Sequence, residues 1–258
     1  MSLSHVFLLL VAGLAAGTVN AIAGGGSLIT FPALLGIGLA AKPANFTNSV
    51  AVCPGYLASV YGSRTDLAEL AQGRRRSVYL LLPTAAVGAL AGGLLLKATP
   101  AGTFQAIVPF LVIGAAGVLA FQQRLRSIVG HPAQLSARRQ TVALHVMVGL
   151  GAVYGGYFGA ALGVMLVAGL GLVLDESMAR ITALKNIVSA VVGLVTVLLF
   201  ALVGQVDWAA VGVVAPATLV GGYVGARIAR RLPGAVLRAI IVTFGLAVGG
   251  YLLYKAFR

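Results

Sequence analysis

The chain alternates long uncharged apolar runs with short basic interruptions, and the lengths of those runs predict its architecture. Runs over 45–63, 78–96, 103–121, 180–203, 208–226 and 236–254 each approach the ~20 residues that carry a helix across ~30 Å of hydrocarbon. Two further segments, 4–37 and 141–174, are too long for one ordinary crossing and short for two full ones. Each breaks in the middle at small residues: Gly24-Gly25-Gly26-Ser27 in the first, Gly155-Gly156 through Gly159-Ala160-Ala161 in the second. The pattern predicts an all-α, polytopic membrane protein.

Charge placement adds a topology. Three basic clusters hold 12 of the 18 Lys and Arg residues: Arg64 with Arg74, Arg75 and Arg76; Arg124, Arg126, Arg138 and Arg139; Arg227, Arg230, Arg231 and Arg238. Basic residues gather on the cytoplasmic side of spanning helices, so all three clusters are placed inside. Counting back from the last cluster puts residues 204–207 outside and starts the 180–203 span inside. The segment 141–174 must then leave and return on one side. By the same count 45–63 starts outside, and 4–37 most simply enters from outside and turns back. Both long segments read as hairpins or re-entrant pairs of short helices joined near mid-bilayer. For the first, one long tilted crossing with an inside N-terminus is the alternative.

The two halves share this plan in opposite orientation. Residues 1–126 form a first inverted repeat, 127–140 a basic cytoplasmic linker and 141–258 a second repeat; each repeat is a broken hairpin followed by three transmembrane helices. Gly13-Leu14-Ala15-Ala16 echoes Gly149-Leu150-Gly151-Ala152, and a glycine break follows each. Inverted repeats with matching interruptions are the signature of secondary transporters, whose sites lie at the breaks. Close helix packing is the competing use of glycine in membranes. It accounts for Gly88 with Gly92, and for Gly221, Gly222 and Gly225, better than for three glycines in a row.

Composition agrees with a bilayer protein: 60% hydrophobic, 9% charged and 35 glycines in 258 residues. The net charge of +13 does not call for nucleic acid, because it lies in short loops where topology and anionic headgroups explain it. A single cysteine, Cys53, excludes an internal disulfide, and His5, His131 and His145 have no metal-ligand spacing. No cofactor is implied. Val6–Ala16 followed by Ala21-Ile22-Ala23 resembles a signal peptide, but no Lys or Arg precedes it. The segment is therefore read as mature structure.

Candidate chemistry is sparse and positive. The five acids, Asp66, Glu69, Asp175, Glu176 and Asp207, all fall in or beside loops, so no carboxylate proton relay is expected within a span. Lys185 lies five residues inside the span that begins near Arg180. It either pairs with an anionic substrate or snorkels to the interface along roughly 7.5 Å of helix. A helix starting at Ser27 would aim its positive dipole end into the break, with Gly24, Gly25 and Gly26 allowing close approach. Asn45, Asn48 and Ser49 share a helical face at the start of the next span, and Asn186 with Ser189 is their counterpart. Asn20, opposite the glycine break, joins the same candidate pocket. The expected substrate-binding set is Asn20, Gly24, Gly25, Gly26, Ser27, Asn48, Ser49, Lys185 and Asn186. The expected partners are a small anion and the lipid bilayer.

Several of these stretches resemble one known family, the sulfite exporter TauE/SafE membrane proteins. They are 17–32, 44–51 and 54–58 in the first half, and Ala183-Leu184-Lys185-Asn186 with 221–226 in the second. The second break departs from the family's glycine-rich form at Ala160-Ala161-Leu162. The resemblance implies transport of small sulfur-containing anions such as sulfite or organosulfonates, in a bacterial inner membrane, with no enzymatic step. Two other classes compete. An intramembrane hydrolase with Ser27 as nucleophile lacks a general base within evident reach, His145 being the one histidine inside a span. An anion channel would be expected to carry rings of charge that this sequence does not display.

Overall fold

In hydrocarbon every peptide group must find its partner within the protein, which leaves the helix as the default for uncharged apolar runs. The computed structural model describes residues 1–22, 24–72, 75–128, 136–228, 239, 242–243, 246–247 and 249–254. Among them the chain forms ten helices and no strand: α1 (Leu3–Ile22), α2 (Ser27–Gly36), α3 (Ala41–Gly62), α4 (Arg64–Ala71), α5 (Arg75–Ala98), α6 (Ala101–Ile128), α7 (Ala137–Tyr157), α8 (Leu162–Val173), α9 (Met178–Val203) and α10 (Trp208–Ile228). Four carry stretches long and apolar enough to cross a membrane: Leu3–Ile22, Val78–Ala98, Met178–Val203 and Trp208–Gly225. The span expected over 236–254 lies largely outside the described residues, and those described within it are helical. Much of the expected linker 127–140 also lies outside them, as do His131, Arg74, Arg230, Arg231 and Arg238.

Both long segments are broken, but not into two short helices. α1 has 20 residues and α7 has 21, each a full bilayer length, whereas α2 has 10 and α8 has 12. The chain turns back at each break. Gly26 packs on the Ala16 carbonyl and Gly36 lies near Leu8, so α2 runs antiparallel to α1. Gln140 donates to the Val173 carbonyl (2.9 Å) and Met147 packs over Gly169, so α8 returns along α7. The first segment is thus a hairpin and not a single tilted crossing.

Glycine seams set the direction of the remaining helices. α1 lies parallel to α10, with Gly13 against Val214 and Ala217, and Gly17 against Thr218 and Gly222. α5 lies parallel to α7 in the same manner: Gly88 faces Gly149 and Ala152, and Gly92 faces Val153 and Tyr157. A Cβ on Gly88 would stand 2.8 Å from the Gly149 carbonyl oxygen, so backbone meets backbone along this seam. α3 and α9 cross antiparallel, with Phe46 on Phe200 (centroids 4.8 Å apart) at one end and Asn186 donating to the Ser59 carbonyl (3.3 Å) at the other. Hence α1, α3 and α10 point one way, and α5, α7 and α9 the other.

Arg64, Arg124, Arg138 and Arg139 consequently share one end of the bundle, at the end of α3 and of α6 and the start of α7. Helix α4, expected as loop, also sits at that end. Its Leu70 is buried and packs with Leu67 against residues of α5, α8 and α9. Glu69 of α4 accepts from Arg180 at the start of α9 (3.3 Å), which also pairs with Glu176 (3.0 Å). Amphipathic packing and an ion pair, both long-range, make this segment helical. At the opposite end Lys42 donates to the carbonyls of Lys97 (2.9 Å) and Thr99 (2.6 Å), placing a cation where the last carbonyls of α5 are unpaired.

The seams supply the test of this packing. Gly156→Ala would drive a methyl group into the Ala89 carbonyl, and should cost about 1–3 kcal/mol as a lower midpoint of thermal unfolding. Gly114→Ala, with no described residue within 4 Å of its Cβ position, should leave that midpoint unchanged or raise it.

Candidate anion site at the two helix breaks

A break in a buried helix needs a backbone that can turn and side chains that take up the released peptide groups. In the first break Gly24 has φ 87°, a conformation that excludes most side chains. Asn20 then secures the turn, its Oδ1 accepting from the Gly26 N–H at 2.8 Å. In the second break Gly159 has φ 74° and Ala161 φ 56°, the latter a left-handed alanine at the N-cap of α8. The Tyr154 hydroxyl donates to the Ala160 carbonyl (2.7 Å), and Asn45 Nδ2 reaches from α3 to the Tyr157 carbonyl (2.9 Å). The breaks touch: a Cβ added to Gly163 would lie 2.5 Å from the Gly24 Cα.

A small cavity lies where the two short helices begin. Ser27, the first residue of α2, and Leu162, the first of α8, both line it, together with Asn48, Ser49, Tyr56 and Thr196. Helix N-termini carry partial positive charge and exposed N–H groups, so two of them converging on one space favour an anion there. The hydroxyls are oriented by their surroundings: Ser49 donates to the Asn45 carbonyl (2.9 Å) and Thr196 to the Gly193 carbonyl (2.9 Å). Thr30 donates to Asn48 Oδ1 and so fixes which end of that amide is free to donate. The cavity volume is about 20 Å³, room for little more than one water.

The structure divides the expected site residues into two groups. Ser27, Asn48 and Ser49 line the cavity. Asn20, Lys185 and Asn186 do not. Lys185 is buried and donates from Nζ to the Asn20 carbonyl (2.8 Å), in the last turn of α1. Asn186 turns toward α3, its Nδ2 donating to the Ser59 carbonyl and to Ser63 Oγ (3.0 Å). Gly24, Gly25 and Gly26 form the turn between the groups. Lys185 does not snorkel, since its side chain packs against Gly163 and ends on Asn20.

Tyr56, Thr196 and Thr30 belong to the site yet were not in the expected substrate-binding set, although Tyr56 falls in the 54–58 stretch that the sequence marked. Thr30 carries a legible signal, three residues after Ser27 on the same helical face. Thr196 has one too, lying seven residues beyond Ser189 on α9. Among the described residues no histidine lines the cavity, and His145 is held against Thr84 Oγ1 (2.8 Å) on α5.

The left-handed alanine yields a direct check. A β-branched side chain is far less tolerant of positive φ than alanine, so Ala161→Val should lower stability by about 1–2 kcal/mol. Ala161→Gly, which restores the glycine more usual at such a turn, should be neutral or stabilising in the same unfolding measurement.

Comparison with known proteins agrees with this architecture. Residues 9–252 match the family described as "Sulfite exporter TauE/SafE". The "Probable membrane transporter protein YfcA" of Escherichia coli (strain K12) is 30% identical over 253 residues, covering 93% of this chain and 87% of that protein. A "Probable membrane transporter protein" of Haemophilus influenzae is 25% identical over 248 residues, 96% of this chain and 94% of its own length. The "Probable membrane transporter protein ORF9" of Sinorhizobium sp is 29% identical over 252 residues, covering 95% and 91%. No solved structure matches the chain significantly. With nearly its whole length matched and with helices able to span a bilayer, the chain belongs to the TauE/SafE sulfite exporter family and is a multi-pass membrane transporter of that type.

Proposed function

We propose that this protein is a secondary transporter, acting as an exporter, of small sulfur-containing anions such as sulfite or an organosulfonate. The anion is held between the starts of α2 and α8 and released by alternating access. The observation that carries the reading is the cavity itself, a small space with a helix N-terminus on either side and Ser27, Asn48, Ser49 and Thr196 in its lining. Its electrostatics agree in sign. None of the five carboxylates of the chain is buried, whereas Lys185 is. A buried cation without a buried acid favours a negatively charged guest. Membership of a family described as sulfite exporters supports a sulfur oxyanion as that guest.

The mechanism follows from the size of the cavity. A sulfite ion with four heavy atoms does not fit where little more than one water does, so this arrangement is closed to it. Access requires the helices around the breaks to separate, first toward one face and then toward the other. Two halves of opposite orientation, 1–126 and 141–258, supply the means. Their support is that α1 pairs with α10 as α7 pairs with α5, while α3 crosses α9 between them. The basic end of the bundle is placed in the cytoplasm by the positive-inside rule. A cavity with room for little more than one water favours such a carrier over an open pore, and no chemical conversion of the anion is involved.

Thermal unfolding of the purified protein with sulfite, sulfate, taurine and sulfoacetate tests this. A ligand at a hundred times its Kd adds about 2.7 kcal/mol of stability, a clear upward shift of the midpoint. One sulfur oxyanion should give that shift, and Asn48→Leu should abolish it while the unliganded protein remains folded. An equal response to every anion, or no response to any, removes this substrate class. In vesicles, saturable flux with counterflow is expected; a high, non-saturating conductance would assign a channel instead.

A further inference from the structure

Three buried donor groups on the basic side of the cavity have no established use. Lys185, Asn20 and Ser189 are each about 1% exposed. The Lys185 ammonium has three N–H bonds, and the acceptor it meets among the described residues is the Asn20 carbonyl. Asn20 Nδ2 has no partner. Because Asn20 Oδ1 is taken by the Gly26 N–H, the orientation of the amide is defined and the unmet end is a donor. Ser189 Oγ also has no partner. It stands four residues from Lys185 on α9, on the same helical face. An unmet buried polar group costs about 1–3 kcal/mol, so two unmet groups, one on α1 at the residue Lys185 contacts and one on the Lys185 face of α9, are not explained by packing.

We propose that Lys185, Asn20 and Ser189 form a second anion station, separate from the cavity and on the same path, that takes a small oxyanion through its acceptor-only oxygens. The proposal rests on the reading of the chain as an anion carrier and deepens it. The match is chemical: Asn20 Nδ2 and Ser189 Oγ are unmet groups that can donate, and the Lys185 amine has N–H bonds beyond the one on Asn20 and is positive when protonated. A metal cation would find no carboxylate here and would face the ammonium. Asn186 Oδ1 is an unmet acceptor next along the chain, but it belongs to the α3 seam, where its amide donates to Ser59 and Ser63.

The face of α9 links the two stations. Continuing from Lys185 and Ser189, the same face presents Val192, Gly193 and Thr196, all of which line the cavity. Lys185 and Val192 are about 10 Å apart along the helix axis, with Ser189 between them. Beside Lys185 lies the close contact of Gly24 with Gly163. Passage between the stations then requires the two breaks to separate at this contact. Lys185 holds it on the basic side and the helix N-termini hold it at the centre.

Equilibrium binding of radiolabelled sulfite to the full-length protein in lipid nanodiscs decides the matter. Wild type should bind two sulfite ions per chain, Lys185→Gln one, and Asn48→Leu the other one. Ser189→Ala should weaken the Lys185 station about tenfold, the loss of one hydrogen bond to a charged group. It should leave the melting temperature of the unliganded protein unchanged, because Ser189 Oγ has no bond to lose. A lower melting temperature with unchanged binding would make Ser189 structural and overturn the station. So would a single bound sulfite lost in both Lys185→Gln and Asn48→Leu, although the carrier reading would survive. If wild type binds neither sulfite nor sulfate nor an organosulfonate, both readings fall together.

Discussion

Inside a bilayer an unpaired peptide group has no water to turn to, and the whole arrangement of this protein depends on how it meets that constraint at two places. Both hairpins must stop a helix, turn, and start another without exposing backbone to lipid. The protein sets the two turns against each other, Gly24 on Gly163, and surrounds them with side chains that accept or donate where the helices no longer can. Asn20 serves the first turn; Tyr154 and Asn45 serve the second. Asn45 comes from α3 and the second turn from α7 and α8, so the polar satisfaction of one half is supplied by the other. Irregular backbone at this depth is therefore a shared property of both halves.

The same arrangement produces the chemistry. A helix that restarts within the protein brings its positive end with it, and two such restarts meet at one cavity. Arg64, Arg124, Arg138, Arg139 and Arg180 sit at one end of the bundle, where lipid headgroups and water screen them. Lys185 differs because it is fully buried and tied to the last turn of α1. The negative end of α1 offsets part of its charge without neutralising it. The interior is thus positive in two ways, from dipoles at the centre and from one ammonium nearer the basic end. The glycine seams of α1 with α10 and of α5 with α7 bring backbone onto backbone. Contacts between α3 and α9 are made by side chains such as Phe46, Phe200 and Asn186.

Much of this was legible because membrane spans are written in simple terms. Uncharged length gave α5, α9 and α10 nearly to their ends, and the glycine clusters marked both breaks. Where reading by composition fell short, the reasons are physical. α3 is a full-length helix whose first turns are polar and buried, through Asn45, Thr47, Asn48 and Ser49. Its hydropathy therefore understates its role. α4 looked like a basic loop because its helical state depends on Leu70 finding a pocket and Glu69 finding Arg180. The hairpins were expected as pairs of short helices, but run length cannot tell where a helix ends inside an apolar stretch. The turn at Gly24 can, since it requires a positive φ.

For the site, the sequence by itself determined which residue types could take part: glycines that permit a turn, amides and hydroxyls near its ends, and one lysine within a span. These follow from periodicity, charge and the cost of polarity in hydrocarbon, which are local properties of the chain. Only the tertiary structure decided that they form two groups, with Ser27, Asn48 and Ser49 around a cavity and Lys185 on the Asn20 carbonyl. It also added Thr196 and Tyr56, and showed that Asn186 faces α3. The reason is that α9 presents several faces to different neighbours at once. Which neighbour each face meets depends on the crossing of α3 and α9 and on the contact between the breaks, and neither is encoded in any one segment.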